Sequence, residues 1–335
     1  MEIQKNISLK PFNTFSIACN ASEFSSIRNI EDIKLLIPQL SQKPFLFLGG
    51  GSNVLFTKDF DGLVIQNQLK GIDTIYEDEN VAEIAVKSGE IWHDLVLWSL
   101  EKGFFGLENL SLIPGSVGAA PMQNIGAYGE EIKNWCTKVI ALNLKTSELE
   151  TFTNEACEFG YRESIFKRKL KNQYFIYEVH FKLVKKRVVN CNYGDIKKVL
   201  EDKGIESPTP KDVSNAVIEI RSSKLPNPSE LGNAGSFFKN PVISIPEFNK
   251  LQLAYPEIPN YPDVKGIKIP AGWLIEQSGF KGKIVGNTGS HAKQALVIVN
   301  YGNATGIEIY NYSQTIIDFV KNKYGIELER EVNII

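Results

Sequence analysis

The chain has 335 residues, 43% of them hydrophobic, and a formal charge of −2. That length allows two or three domains with real cores, and the near-zero charge excludes a global field for nucleic acid. Cys19, Cys136, Cys157 and Cys191 form no C-x-x-C pair, and His93, His180 and His291 fit no ligand spacing, so no metal is expected.

The N-terminus MEIQKNISLK has no apolar targeting segment, and no run of about 18 apolar residues occurs. A cytoplasmic chain without membrane contact is expected, acting as a monomer on small molecules. Ile33, Leu36, Ile37 and Leu40 mark a helix that Pro38 should kink or split. Phe45–Leu48 reads as a strand, followed by the turn GGGSN (49–53) and a second apolar run, Val54–Phe56. The turn lacks the Gly-Lys-Ser/Thr ending of a P-loop, and it lacks the third glycine and following helix of a Rossmann fingerprint. A backbone nest for a pyrophosphate in another fold remains.

Val81–Lys87 predicts a strand and Ile91–Lys102 a helix ending at Gly103. Ile113–Gly129, IPGSVGAAPMQNIGAYG, holds four glycines, three alanines and two prolines, with uncharged hydrogen-bonding side chains at Ser116, Gln123, Asn124 and Tyr128. It is either a glycine-rich surface loop or a surface that backbone can bring close to a ligand. Lys138–Leu144 and Gln173–Val184 are strands; alternation in the second puts His180 on its polar, solvated face. Arg162–Lys203 carries twelve Lys or Arg against five Asp or Glu, which fits a phosphorylated ligand or a solvated basic face. A short helix runs from near Asp195 to Gly204. Thr209 caps another with Pro210 at its first position. A domain boundary falls between about 200 and 225. Helices near 271–277 and 307–323, a strand at 295–299 and a closing strand through IELEREVNII complete the chain. In that last strand Ile326, Leu328, Val332 and Ile334 share one face, and Glu327, Glu329, Glu331 and Asn333 the other.

No zinc-protease motif and no nucleophile elbow occurs. Three polar residues could carry chemistry. Arg162, in GYRESIFK, can present a planar fork to a carboxylate or phosphate, or pair with Glu163 at the surface. Ser236, in NAGSFFKNP, is a loop hydrogen-bonder or a positioned proton carrier. Glu331 is a solvated carboxylate or a site residue.

SLKPFNTFSI (8–17), LGGGSNVLF (48–56), GLENLSLIPGSVGAAPMQNIGAYGEE (106–131), GYRESIFK (160–167), NAGSFFKNP (233–241), AGWLIEQSGFKG (271–282) and LEREV (328–332) run collinearly across nearly the whole chain. In them the chain closely resembles the UDP-N-acetylenolpyruvoylglucosamine reductase (UDP-N-acetylmuramate dehydrogenase) family, in its subtype with a tyrosine loop. The resemblance implies an α+β architecture. It has a two-domain FAD-binding unit of the vanillyl-alcohol-oxidase (PCMH) type, residues 1–70 and 71–222 with a core at about 17–186, and a third α+β substrate-binding domain, 223–335, whose C-terminal strand returns to the active site.

The resemblance also implies non-covalent FAD, with contacts from Gly49, Gly50, Gly51, Ser52, Asn53, Pro114, Gly115, Ser116, Gly118, Ala119, Asn124, Ile125, Gly126 and Tyr128. NADPH would reduce the flavin. Flavin N5 would then give hydride to C3 of UDP-N-acetylglucosamine enolpyruvate, for peptidoglycan precursor synthesis. Arg162 would stabilise the enolate, Glu331 would assist at the same carboxylate, and Ser236 would protonate C2. Tyr193, in NYGD, Lys224, in SKLP, and Asn233 would bind substrate. Ser116 stands where relatives often carry cysteine. Another flavin oxidase or dehydrogenase of the same fold, or a nucleotide-binding protein without chemistry, are the alternatives.

Overall fold

In the computed structural model, which describes residues 1–335, the longest alternating run of the sequence becomes the centre of a sheet. Tyr174–Val184 pairs antiparallel with Cys136–Asn143 on one side and Val81–Lys87 on the other, and Leu149–Thr153 and Ile72–Glu77 form the two edges. A four-stranded sheet precedes it, ordered Gln4–Ser8, Asn20–Ile27, Phe60–Asn67, Phe45–Leu48. Helix α1, Ile30–Leu40, begins at Asn29, whose side chain accepts from Asp32 N. It buries Ile33, Leu36 and Leu40 beside Leu63 and Ile65. Pro38 neither splits nor ends α1 early. It lies in the last turn, where one missing N–H leaves the earlier helical bonds intact. Helix α2, Trp92–Glu101, packs Trp92, Leu95 and Val96 with Val139, Val179 and Phe181 of the five-stranded sheet.

The chain divides into two compact units: 1–7, 21–50 and 61–223 form one, and 8–20, 51–60 and 224–335 the other. The first unit holds both sheets above, together with α3, Ile196–Asp202, and α4, which runs Pro210–Lys224 up to the boundary. Thr209 caps α4: its Oγ1 accepts from Asp212 N, and its own N–H donates to Asp212 Oδ2.

The second unit has an antiparallel sheet ordered Gly232–Ser236, Val297–Asn300, Thr288–Ser290, Ile284–Val285. Its helices are α5 (Ile245–Ala254), α6 (Ala271–Gln277) and α7 (Gly306–Tyr324). Capping boxes at Ser244–Glu247 and Thr305–Glu308 start α5 and α7. A Cβ on Gly306 would lie 1.7 Å from Phe56 O, so only glycine lets α7 begin against that backbone.

Two further expectations change. The closing segment is not one long strand. Ile326, Leu328 and Val332 are buried and Glu327 and Glu329 exposed, as the alternation requires, but Ile334 of the same face is exposed, and regular pairing is confined to Asn333–Ile334, parallel to Val54–Leu55. Upstream, Arg330 bridges to Phe238, and its guanidinium goes to Ser313 Oγ (2.8 Å) and Gln314 Oε1 (2.7 Å) on α7. The partners change along the segment, so no single neighbour supports a ladder. His180 is also not solvated. Sheet neighbours flank its strand on both sides, and it is 6% exposed, with Nε2 2.6 Å from Glu178 Oε1.

Glu178 also pairs with Lys87, and its carboxyl is held down at about 2 by the His180 bond first and by Lys87 after it. Folding lowers this carboxyl from its ordinary 4.5, so its contribution to stability is complete above that pH and disappears as pH falls toward about 2. Glu178→Gln should therefore cost roughly 2 kcal/mol near neutral pH and much less near pH 3. Urea unfolding at both pH values checks this; a cost that does not change with pH would contradict it.

Candidate active site

The small-residue stretch 113–129 is fastened to the start of α2. Trp92 N donates to Gly115 O (3.0 Å), Val117 N to Glu90 O (2.8 Å) and Gly118 N to Ser88 O (2.8 Å). The first half of the GGGSN turn comes against it. A Cβ on Gly49 would lie 2.4 Å from Ser116 Oγ, and one on Gly50 3.4 Å from Gly115 Cα. Gly49, Gly50, Gly115 and Ser116 therefore line one cleft, together with Gln66, Asn67, Gln68, Lys70, Gly89 and Ile91, which the sequence did not single out. No carboxylate lines it, and Lys70 is its one cation. The turn passes into the second unit at Gly51, which has φ +63. There Asn53 O accepts from Asn333 N (3.1 Å) and Asn333 Nδ2 (2.9 Å), and Asn53 Nδ2 donates to Glu331 O (3.4 Å).

The other half of the stretch builds the surroundings of Arg162. Asn124 is fully buried; its Nδ2 donates to Gly160 O and Glu131 Oε2 (both 3.0 Å), and its Oδ1 accepts from Lys133 N (3.1 Å). Ser164 Oγ donates to Met122 O at 2.7 Å. The turn 160–164 is thus pinned at both ends. Arg162 adopts φ +55 in it, and its Nη2 donates to Gly126 O at 2.8 Å. Asn124 (φ +43) and Tyr128 (φ +50) are left-handed as well. Such conformations cost roughly 1–3 kcal/mol each and gather at functional sites.

A second arginine lies within range of the Arg162 charge. Arg221 on α4 has its guanidinium pKa pulled down by burial, with Tyr128 opposing and the Arg162 charge adding to the effect. The sequence reading passed over it, although it lies four residues beyond buried Val217 on the helical stripe. Tyr193 packs edge-on against Tyr128, ring centres 6.4 Å apart. The first unit thus gathers Arg162, Tyr128 and Tyr193. Pro114 and Ala119 are exposed, Ile125 is buried, and a Cβ on Gly118 would lie 2.5 Å from Ser88 Cβ, too close for any side chain.

In the second unit Ser236 is exposed at the end of its strand, after Gly235 at φ +67. Asn233 is buried; its Nδ2 donates to Pro226 O and Leu231 O, and its Oδ1 accepts from Gly235 N. Glu331 is brought beside Ser236, because its N–H donates to Phe237 O at 2.8 Å. Lys224 is exposed at the end of α4.

Residues 26–151 match the model of an FAD binding domain. The cleft suits that cofactor: it is walled by glycine backbone and side-chain amides, carries a lysine, and is too narrow at Gly49 for a Cβ. Gly49→Ala should strip FAD from the purified protein, and Ser116→Gly in the same chain should restore it, as read from flavin absorbance per chain. Failure of the second change to rescue would contradict this packing.

Residues 227–335 match the model of the UDP-N-acetylenolpyruvoylglucosamine reductase C-terminal domain. Proteins named UDP-N-acetylenolpyruvoylglucosamine reductase from Flavobacterium johnsoniae and Pseudomonas aeruginosa are 51% and 42% identical to the chain, covering all of it and 100% and 99% of their own lengths. The crystal structure of the reductase from Thermus caldophilus superposes with a TM-score of 0.68 at 22% identity, covering 100% of this chain and 99% of that one. p-Cresol methylhydroxylase shares the fold at a TM-score of 0.50 and 12% identity, over 96% of this chain and 83% of that one. With full-length identity at this level, the chain belongs to the UDP-N-acetylenolpyruvoylglucosamine reductase family.

Proposed function

We propose that this protein reduces the enolpyruvyl group of UDP-N-acetylglucosamine enolpyruvate to the lactyl ether of UDP-N-acetylmuramate, a cytoplasmic step of peptidoglycan precursor synthesis. FAD, when bound, would supply two-electron hydride-transfer chemistry between NADPH and the vinyl ether. Gly49, Gly50, Gly115, Ser116 and the amides of Gln66, Asn67 and Gln68 would hold it.

The observation that carries this reading is the guanidinium of Arg162, held in a left-handed turn by its bond to Gly126 O, with the charge of Arg221 within range of it. When hydride reaches C3, negative charge develops at C2 and spreads into the adjacent carboxylate. Cations already held in position stabilise that charge without reorganising during the reaction. Arg162 is so held, by its left-handed turn and its bond to Gly126 O. Ser236 delivers the proton to C2, and Glu331 assists at the carboxylate end. These two roles are supported by the hydrogen-bonded proximity of the two segments and by the exposure of Ser236. Tyr193, Lys224 and Asn233 serve the UDP-sugar, Tyr193 from a segment that closes on the site and excludes water.

Anaerobic flavin absorbance tests the reading. NADPH should bleach the visible band, and the enolpyruvyl compound should restore it. Arg162→Ala should slow the return by about 10²–10³-fold, and Ser236→Ala by about 10²–10⁴-fold, with bleaching retained. A band that NADPH bleaches but the enolpyruvyl compound leaves bleached would point to another flavin enzyme of the same fold.

A further inference from the structure

Asn109 is fully buried and lines no part of the cleft at Gly49 and Ser116, yet its side chain joins the hairpin that carries Gly126 to the segment that carries Tyr193. Its Nδ2 donates to Tyr128 O at 3.0 Å and to Asn190 O at 2.9 Å. Both acceptors are carbonyls, so the amide orientation follows from the bonding. The turn that carries Asn109, Glu108–Leu110, is a fixed platform. Trp92 Nε1 on α2 donates to Leu110 O at 2.9 Å, and Ser111 Oγ lies 2.8 Å from Ser214 Oγ on α4.

Tyr128 and Gly129, at φ +50 and +79, form the tip of a hairpin that pairs Gly126–Ala127 with Glu130–Glu131. Two left-handed residues at such a tip make a tight connection that passes displacement from tip to strands. Only Ala127 separates Tyr128 from Gly126, whose carbonyl receives Arg162 Nη2. The Tyr193 segment sits on the tip's other side. A Cβ on Gly129 would be 3.1 Å from Asn190 Nδ2 and 3.5 Å from Tyr193 Cβ, and one on Gly194 would be 3.7 Å from the Tyr128 ring. The base of that segment is tied to the same hairpin and platform: Arg187 Nη2 reaches Glu130 Oε1 (2.9 Å) and its Nε reaches Glu108 Oε1 (3.2 Å).

We propose that Asn109 is a positioning residue that couples closure of the Tyr193 segment to the aim of Arg162, through the Gly126–Gly129 hairpin tip. With the segment seated, both Nδ2 protons have acceptors and the tip is fixed. With the segment displaced, a buried donor loses an acceptor, the tip loosens, and Gly126 O no longer fixes the guanidinium. Substrate that seats Tyr193 thereby also sets the catalytic cation. This rests on the reading of Arg162 given above.

The test is a double-mutant cycle on NADPH-reduced holoenzyme, reoxidised anaerobically by UDP-N-acetylglucosamine enolpyruvate in stopped flow. Asn109→Ala and Tyr193→Ala should each lower the limiting rate by about tenfold, and the double variant should be less than about twofold slower than Tyr193→Ala alone. FAD content should stay near wild type, with the thermal midpoint of Asn109→Ala lowered by a few degrees for the lost buried hydrogen bonds. If Asn109→Ala releases FAD, Asn109→Ser, which keeps one donor, takes its place in the cycle. Losses that multiply, or single variants that raise half-saturation while leaving the limiting rate unchanged, overturn the coupling. Wild-type protein that the enolpyruvyl compound does not reoxidise overturns the reading of Arg162, and the coupling with it.

Discussion

The buried amide of Asn124 joins three separate stretches of chain: its own glycine-rich segment, the 131–133 segment and the carbonyl of Gly160. Removing any one partner would leave a buried polar group unsatisfied, at a cost of about 1–3 kcal/mol. These bonds hold the 160–164 turn in a backbone conformation that arginine rarely adopts, and so aim Arg162. The small residues around Asn124 serve the same end. Gly126 has Glu131 Cγ at 2.8 Å and Glu130 O at 2.9 Å from where a Cβ would stand, so no larger residue fits beside the arginine.

The same economy of side chains shapes the cofactor cleft. Glycines at 49, 50 and 115 let two turns approach to backbone contact, which leaves N–H groups and amides as the wall. A diphosphate would meet such a wall through hydrogen bonds and one lysine, without a deep basic patch. Arg162 instead carries its charge away from that wall, with Arg221 on α4 within range of it. Two guanidiniums that feel one another repel, and in the proposed reaction a developing anion would relieve that repulsion.

Local patterns in the sequence marked α2, α4, α6, α7 and the 174–184 strand, because each carries its own periodicity or cap. The glycine-rich turns were legible as backbone that approaches closely, which Gly49 and Gly50 do against Ser116 and Gly115, and collinear motifs singled out Arg162, Ser236 and Glu331 as candidates. What stayed hidden depends on contacts remote in sequence. Alternation put His180 on a polar face but could not reveal Glu178 and Lys87 closing over it. The closing segment looked like a strand, yet its partners are Val54–Leu55, a bridge to Phe238 and side chains of α7. Residues 8–20 and 51–60 cluster with the C-terminal unit, which no local signal announces. Asn109 and Arg221 were invisible for a similar reason: a buried polar residue is recognised by its partners, not by its neighbours in the chain.

The central claim is that cations stabilise negative charge at C2 and the carboxylate while a proton arrives last. Turnover in deuterium oxide tests it, with product and recovered substrate read by NMR. The account predicts product with a deuteron at C2 and at most one at C3, and recovered enolpyruvyl substrate without deuterium. A second deuteron at C3, or label washing into unreacted substrate, would require protonation at C3 and a cation at C2, which Arg162 and Arg221 would oppose; that result would contradict the account.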